Sequence, residues 1–253
     1  MIVLFTDFGT RDPYVGQMHA VIRRRTDVPV IDLLHHVPRY GMRAGAYLLD
    51  ALQRRFQPGD VFACVVDPGV GSSRAPVMMK ADGKWYVGPD NGLFEIVQRR
   101  ARSVEVLRID WRPEDLSASF HGRDLFAPAA AMLASGNIPA SCPWSLVDAR
   151  SWPDQPDEII YIDHFGNAMT GRGADGLSRG AIVRLRGSRL SAAQTFSAVE
   201  PGKPFWYRNS LGLLEIAVRE GSAAALLQLS IGDTIEVLDY EALIDTWDAK
   251  ERD

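Results

Sequence analysis

Three short strand-like runs, Ile2–Phe5, Val30–Leu33 and the wholly apolar Val61–Val66, are separated by two stretches of helical periodicity. Tyr14–Arg25 is the first of these. The second, Arg43–Phe56, repeats Gly45, Leu48, Leu49, Leu52 and Phe56 on one face. This βαβαβ order predicts a mainly parallel sheet covered by helices. A hairpin follows, Val77–Ala81 and Lys84–Val87 around the Asp82-Gly83 turn. A helix near Leu93–Arg100, a strand at Val104–Ile109 and an alanine-rich helix at Asp124–Ser135 extend the unit. The pattern breaks at Ser151-Trp152-Pro153-Asp154-Gln155-Pro156, after which short strands dominate: Glu158–Asp163, Ala181–Arg186, Phe205–Arg208, Leu213–Val218 and Thr234–Leu238. The expected fold is therefore α/β: an N-terminal, mainly parallel α/β sandwich domain over 1–152 and a smaller β-rich, barrel-like domain over 157–253.

Composition narrows the function without naming it. At 253 residues the chain can bury a full core, and a formal charge of −4 leaves no electrostatic footprint for nucleic acid. Only Lys80, Lys84, Lys203 and Lys250 are lysines among the 28 basic residues, and the Arg23-Arg24-Arg25 run reads as a solvated helix face. Cys64, inside an apolar run, and Cys142, in a proline-flanked loop, form neither a disulfide framework nor a ligand set, which fits a reduced cytoplasm. The opening Met1–Phe5 run meets Thr6-Asp7 too soon for a signal peptide or membrane span.

Chemistry gathers where the strands end. Asp67-Pro68-Gly69-Val70-Gly71-Ser72-Ser73-Arg74 follows the third apolar run, at the carboxyl edge where open α/β sheets bind ligands. Its glycines approach the dinucleotide fingerprint, but Arg74 replaces the third glycine and Pro76 with Val77–Ala81 announces a strand instead of a helix. A plain turn is the alternative reading of Asp67-Pro68-Gly69. Phe120-His121-Gly122-Arg123-Asp124 adds an imidazole that could join Asp67 and Arg74 in one pocket. Thr6-Asp7-Phe8-Gly9 has the kinase triplet without a glycine-rich loop, strand lysine or catalytic-loop motif. Asp7 can instead grip a ribose diol or cap the next helix. His35-His36 beside Asp32 lacks metal-ligand spacing, so no metal is expected. Asp163-His164-Phe165-Gly166-Asn167 is a candidate ligand contact or an Asx turn, and Asn209-Ser210-Leu211-Gly212 reads equally as a hairpin turn.

Taken in order with Gly88-Pro89-Asp90-Asn91-Gly92, these segments resemble the S-adenosyl-L-methionine hydroxide adenosyltransferases, hydrolytic relatives of the fluorinase and chlorinase. The resemblance implies cleavage of S-adenosylmethionine by water to adenosine and L-methionine, with no cofactor. It also implies a homotrimer whose sites use one subunit's N-terminal domain and the next subunit's C-terminal domain. By position, Asp67, Arg74 and His121 match the family's water-activating triad, where the halogenating relatives carry tyrosines at positions 67 and 121. Those relatives also have a long insertion that is absent around Asp82-Gly83, so hydrolysis is favoured over halogenation. Asp7 resembles the ribose carboxylate; Asp12, Asp163 and Ser210 resemble groups around the methionine end; Phe165 and Asn167 resemble adenine contacts, and Phe120 joins this substrate-binding set. Tyr40 stands where the fluorinase has a tryptophan near ribose and adenine, and Leu211 where it has an arginine.

Overall fold

Ile2–Thr6 (β1), Val30–Leu34 (β2) and Val61–Val65 (β3) run parallel with β1 in the middle. Every residue of β1 and β3 is buried, whereas β2 lies at the sheet edge and is partly exposed. Pro76–Ala81 (β4) and Lys84–Pro89 (β5) form the hairpin, and Asp82 and Gly83 both take positive φ (46° and 82°), as a tight two-residue turn demands. The hairpin then does something its sequence does not announce. β5, not β4, pairs with β3, so the sheet order is β2-β1-β3-β5-β4 and continues through Val104–Ile109 (β6) to Ser141–Pro143 (β7). The β2-β1-β3-β5 half is parallel and the remainder antiparallel, which makes the sheet mixed.

This computed structural model describes residues 1–149 and 151–239. The helices of the first unit are Tyr14–Arg23 (α1), Met42–Gln53 (α2), Glu95–Arg100 (α3) and Ala127–Ala134 (α4). α1 packs on α4, and α2 on α3. α4 is apolar nearly all round and sits in a core with Ile2, Leu4, Val61, Ala63, Met78 and Val87. The helix expected from Asp124 does not start as an α-helix. Gly122–Phe126 forms a π-helical turn in which the Ala127 N–H reaches the Gly122 carbonyl, and regular α-geometry begins only at Ala127. Pro128, which has no N–H to give, lies just beyond the wide turn.

The chain divides after Ser151. Beyond it, Ile159–Ile162 (β8), Ala168–Gly173 (β9), Ile182–Leu185 (β10), Ser188–Ser191 (β11), Pro204–Arg208 (β12), Leu213–Val218 (β13), the short helix Ala223–Leu226 (α5) and Glu236–Leu238 (β14) follow in order. Two antiparallel sheets result, β12-β13-β9-β8 and β11-β10-β14, joined by single bridges at Ala192–Trp206 and Glu158–Thr234. Ile159, Val183, Leu190, Trp206, Leu214 and Ile216 fill a common core. The end of the expected second domain, 240–253, lies outside the described residues.

Candidate active site

Because β5 lies between β3 and β4, the 66–75 connection must arch over its end. The arch is tight: the Ser72 N–H bonds the Gly69 carbonyl at 3.0 Å, and Gly71 takes φ +80° where a Cβ would stand 2.9 Å from the Ala118 carbonyl oxygen. Arg74 folds back across it. Its Nε donates to Asp67 Oδ1 and Oδ2 at 3.0 and 3.1 Å, and its Nη2 donates to Oδ2 at 2.5 Å. Both side chains are shielded from solvent, at 9% and 5% exposure, so the pair is a charge-assisted fork in a nearly dry setting. The guanidinium also lies 5.3 Å above the Phe126 ring.

His121 completes the cluster from the residue preceding the π-turn. Its Nδ1 is 2.7 Å from Arg74 Nη2. A guanidinium has only donors, so Nδ1 accepts, and the neutral ring must carry its proton on Nε2. Burial pushes the His121 pKa below its ordinary value; Arg74 and Arg112 push the same way, opposed by Asp67 and Asp124. The three side chains expected to converge therefore do so, with arginine as the bridge between carboxylate and imidazole.

Asp7 follows β1, and its Oδ2 accepts a 3.3 Å bond from the Tyr40 backbone N–H. Desolvation raises the Asp7 pKa, partly offset by that N–H; the charge of Asp67 raises it further, and Arg39 opposes. Tyr40 holds a left-handed backbone (φ 58°), is 71% exposed, and meets Asp7 through its main-chain N–H. Asp7 and Asp12 line one cleft of about 460 Å³ with Phe8, His36 and Arg39. Phe120 packs in a triangle with Phe8 and Tyr14, centroids 5.3 to 5.7 Å apart, which ties the residue after Asp7 to the residue before His121. His35 is buried in the core edge: Nδ1 meets Thr6 Oγ1 at 2.8 Å, and Nε2 lies 3.0 Å from Asp32 Oδ1. Among the described residues no cluster of three or more His, Cys, Asp or Glu side chains could hold a metal ion.

In the second unit Asp163 and Asn167 close a turn on each other. The Asn167 backbone N–H donates to Asp163 Oδ1 at 2.8 Å, and its Nδ2 donates to Oδ2 at 2.9 Å. Phe165 projects from the tip, 73% exposed. Ser210 is exposed on the turn that follows Asn209, whose Oδ1 accepts from the Leu211 and Leu213 N–H groups at 2.9 and 3.0 Å. Sequence reasoning passed over Glu215. It is buried within β13, bonds Asn209 Nδ2 at 2.7 Å and receives the Tyr207 hydroxyl. The signal was a lone carboxylate inside the apolar run Leu213–Val218. Tyr207 consequently titrates well above its ordinary range, first through burial and then through Glu215.

No helix among the described residues is long and apolar enough to cross a membrane. Residues 2–142 match the SAM hydroxide adenosyltransferase N-terminal domain, and 157–236 match the C-terminal domain of the same family. An (R)-S-adenosyl-L-methionine hydrolase of Thermus thermophilus is 38% identical, over 94% of this chain and 99% of its own. A fluorinase of Actinopolyspora mzabensis is 27% identical, over 94% of this chain and 96% of its own. An uncharacterized conserved protein of Thermotoga maritima, solved as a crystal structure, is 32% identical with a TM-score of 0.83, covering 94% of this chain and 99% of its own. With both family domains matched in order across most of its length, the chain belongs to the SAM hydroxide adenosyltransferase family.

Proposed function

We propose that this protein hydrolyses S-adenosyl-L-methionine, in the (R) form that its hydrolase relatives name, to adenosine and L-methionine. The Asp67–Arg74–His121 cluster carries the reading, because it gathers a carboxylate, a fixed cation and a neutral imidazole at the end of a buried strand. The water oxygen attacks C5′ in line with the sulfonium. The C5′–S bond breaks, its electron pair stays on sulfur, and the positive charge there is cancelled. Methionine leaves as a neutral thioether, so no general acid is needed.

The nucleophile is the difficult partner, since water is a feeble one until it loses a proton. Arg74 spends Nε and Nη2 on Asp67 and His121, which leaves the Nη1 hydrogens to stabilise an oxygen that is becoming hydroxide-like. The His121 Nε2–H donates to the same oxygen. Asp67 orients the water and takes its proton as the C–O bond forms, so the attacking oxygen is hydroxide-like while Arg74 and His121 donate to it. Most of the rate then comes from fixing the water opposite sulfur, a term of about 7–11 kcal/mol at its largest. None of these steps calls for a metal or cofactor.

Asp7 is assigned to the ribose diol, Asp12, Asp163 and Ser210 to the methionine end, and Phe120, Tyr40, Phe165 and Asn167 to the nucleoside. The working form is taken to be a cytoplasmic homotrimer, which sedimentation and cell fractionation would check. The test of the activity is to incubate the purified protein with each sulfur epimer and separate the products. Equal amounts of adenosine and methionine are expected. A 5′-halo-adenosine formed with chloride or fluoride would move the protein to the halogenating branch, and absence of any product would leave a binding protein.

A further inference from the structure

The Gly88-Pro89-Asp90-Asn91-Gly92 segment has no part in the reaction described above, yet it sits beneath the arch that carries Asp67 and Arg74. β5 runs parallel to β3 on one side and antiparallel to β4 on the other, so the chain leaving β5 emerges between the two feet of the arch. The feet therefore stand about 10 Å apart, two strand spacings. Each foot is held by one of two consecutive residues. Asn91 Nδ2 donates to the Val66 carbonyl at 2.8 Å, and the Asp90 backbone N–H donates to the Ala75 carbonyl at 2.9 Å.

Val66 immediately precedes Asp67, and Ala75 immediately follows Arg74. The turn is itself anchored. The Asp90 carboxylate accepts from Trp144 Nε1 and from the Val147 N–H, both at 2.8 Å, and Gly88 lets β5 approach β3 so closely that a Cβ there would stand 2.2 Å from the Cys64 carbonyl oxygen.

We infer that Asn91 is a positioning residue of the reaction: through the Val66 carbonyl it fixes the foot of the arch, and so the direction in which Asp67 presents its carboxylate to Arg74 and to the water. The bond from Asn91 is the only one of the two footholds made by a side chain, so it alone can be removed by substitution. Asp67 must keep both oxygens on the guanidinium while aiming at a water opposite sulfur, and a shift of about 1 Å in such an arrangement costs roughly 10²-fold in rate. This inference rests on the hydrolase reading above.

The experiment compares Asn91→Ala and the isosteric Asn91→Asp, which keeps the shape but presents an acceptor to the Val66 carbonyl. The kcat, KM, adenosine affinity by calorimetry, and folding by circular dichroism are measured for each. For folded protein the expectation is a fall in kcat of at least ~10-fold with KM and adenosine affinity within about 2-fold, since adenosine does not need the aligned water. A kcat within about 2-fold of the parent in either folded variant, or an equal loss in adenosine binding, would overturn the positioning role. An active parent with unchanged variants leaves hydrolysis standing and removes only Asn91. A parent that releases no adenosine removes both.

Discussion

Arg74 Nη2 and His121 Nδ1 lie 2.7 Å apart, and because the guanidinium can only donate, this one contact fixes the imidazole tautomer. Protonating Nδ1 would break the bond and set two cations side by side. Burial and Arg74 accordingly hold the His121 pKa below its ordinary 6.5.

A pH dependence follows from that sign. The unfolded chain takes up a proton at His121 near 6.5 while the folded chain does not, so this residue's contribution is present above 6.5 and is lost as pH falls through the lower folded value. The acid limb of kcat/KM, which reports the free enzyme, should have its midpoint below 6.5 and should move or vanish in His121→Gln. A midpoint at or above 6.5 in the parent would contradict the assigned tautomer.

Asp67, Arg74 and His121 are expected to act on one water, which makes their effects non-additive. Asp67→Asn, Arg74→Ala and His121→Ala should each lower kcat by at least ~10²-fold, and the double variants should lose little more. Steady-state kinetics on the singles and doubles decides the matter. Fully additive losses would mean that the three do not share a target.

Asp7 should behave as a binding residue. Removing a carboxylate that accepts two hydroxyl bonds costs about 1.5–3 kcal/mol, so Asp7→Ala should weaken adenosine by roughly 10–100-fold in calorimetry. Because the Asp7 pKa is raised, adenosine binding by the parent should begin to fail, as pH drops, while still above 3.8. Unchanged affinity in Asp7→Ala would place the ribose elsewhere.

Gly88→Ala tests the packing under the arch. The new Cβ would meet the Cys64 carbonyl oxygen at 2.2 Å and the Phe94 ring at 3.0 Å, and β3 cannot retreat because β1 holds its other edge. A loss of about 2 kcal/mol or more is expected in denaturant titration, at the upper part of the range for overpacked interiors. A parent-like midpoint would show that the two strands can separate.

How much of this could be read from sequence depends on where the determinants lie. β3 is a continuous apolar run, β1 is apolar up to Thr6 and β13 apart from Glu215, and burial on both faces leaves little other choice of pattern. β9 does not read as a strand because Ala-Met-Thr-Gly-Arg-Gly has the composition of a loop; its Gly171 is small because a Cβ there would stand 2.3 Å from the Pro156 ring. β11 is a polar edge strand, Ser-Arg-Leu-Ser, with a single fully buried side chain. In the site, the strand ends at Asp7 and Asp67 were legible from the runs before them. The insertion of β5 between β3 and β4 was not, because strand order is a tertiary choice that hydrophobic period leaves open. That choice creates the arch, and with it both the Asp67–Arg74 fork and the role of Asn91.

The most direct measurement of the central claim is turnover in water enriched in heavy oxygen, with adenosine and methionine analysed by mass spectrometry. Attack of water at C5′ places one labelled oxygen in the 5′-hydroxyl of adenosine and none in methionine. Unlabelled adenosine, or label recovered in methionine, would contradict a water held by Asp67, Arg74 and His121.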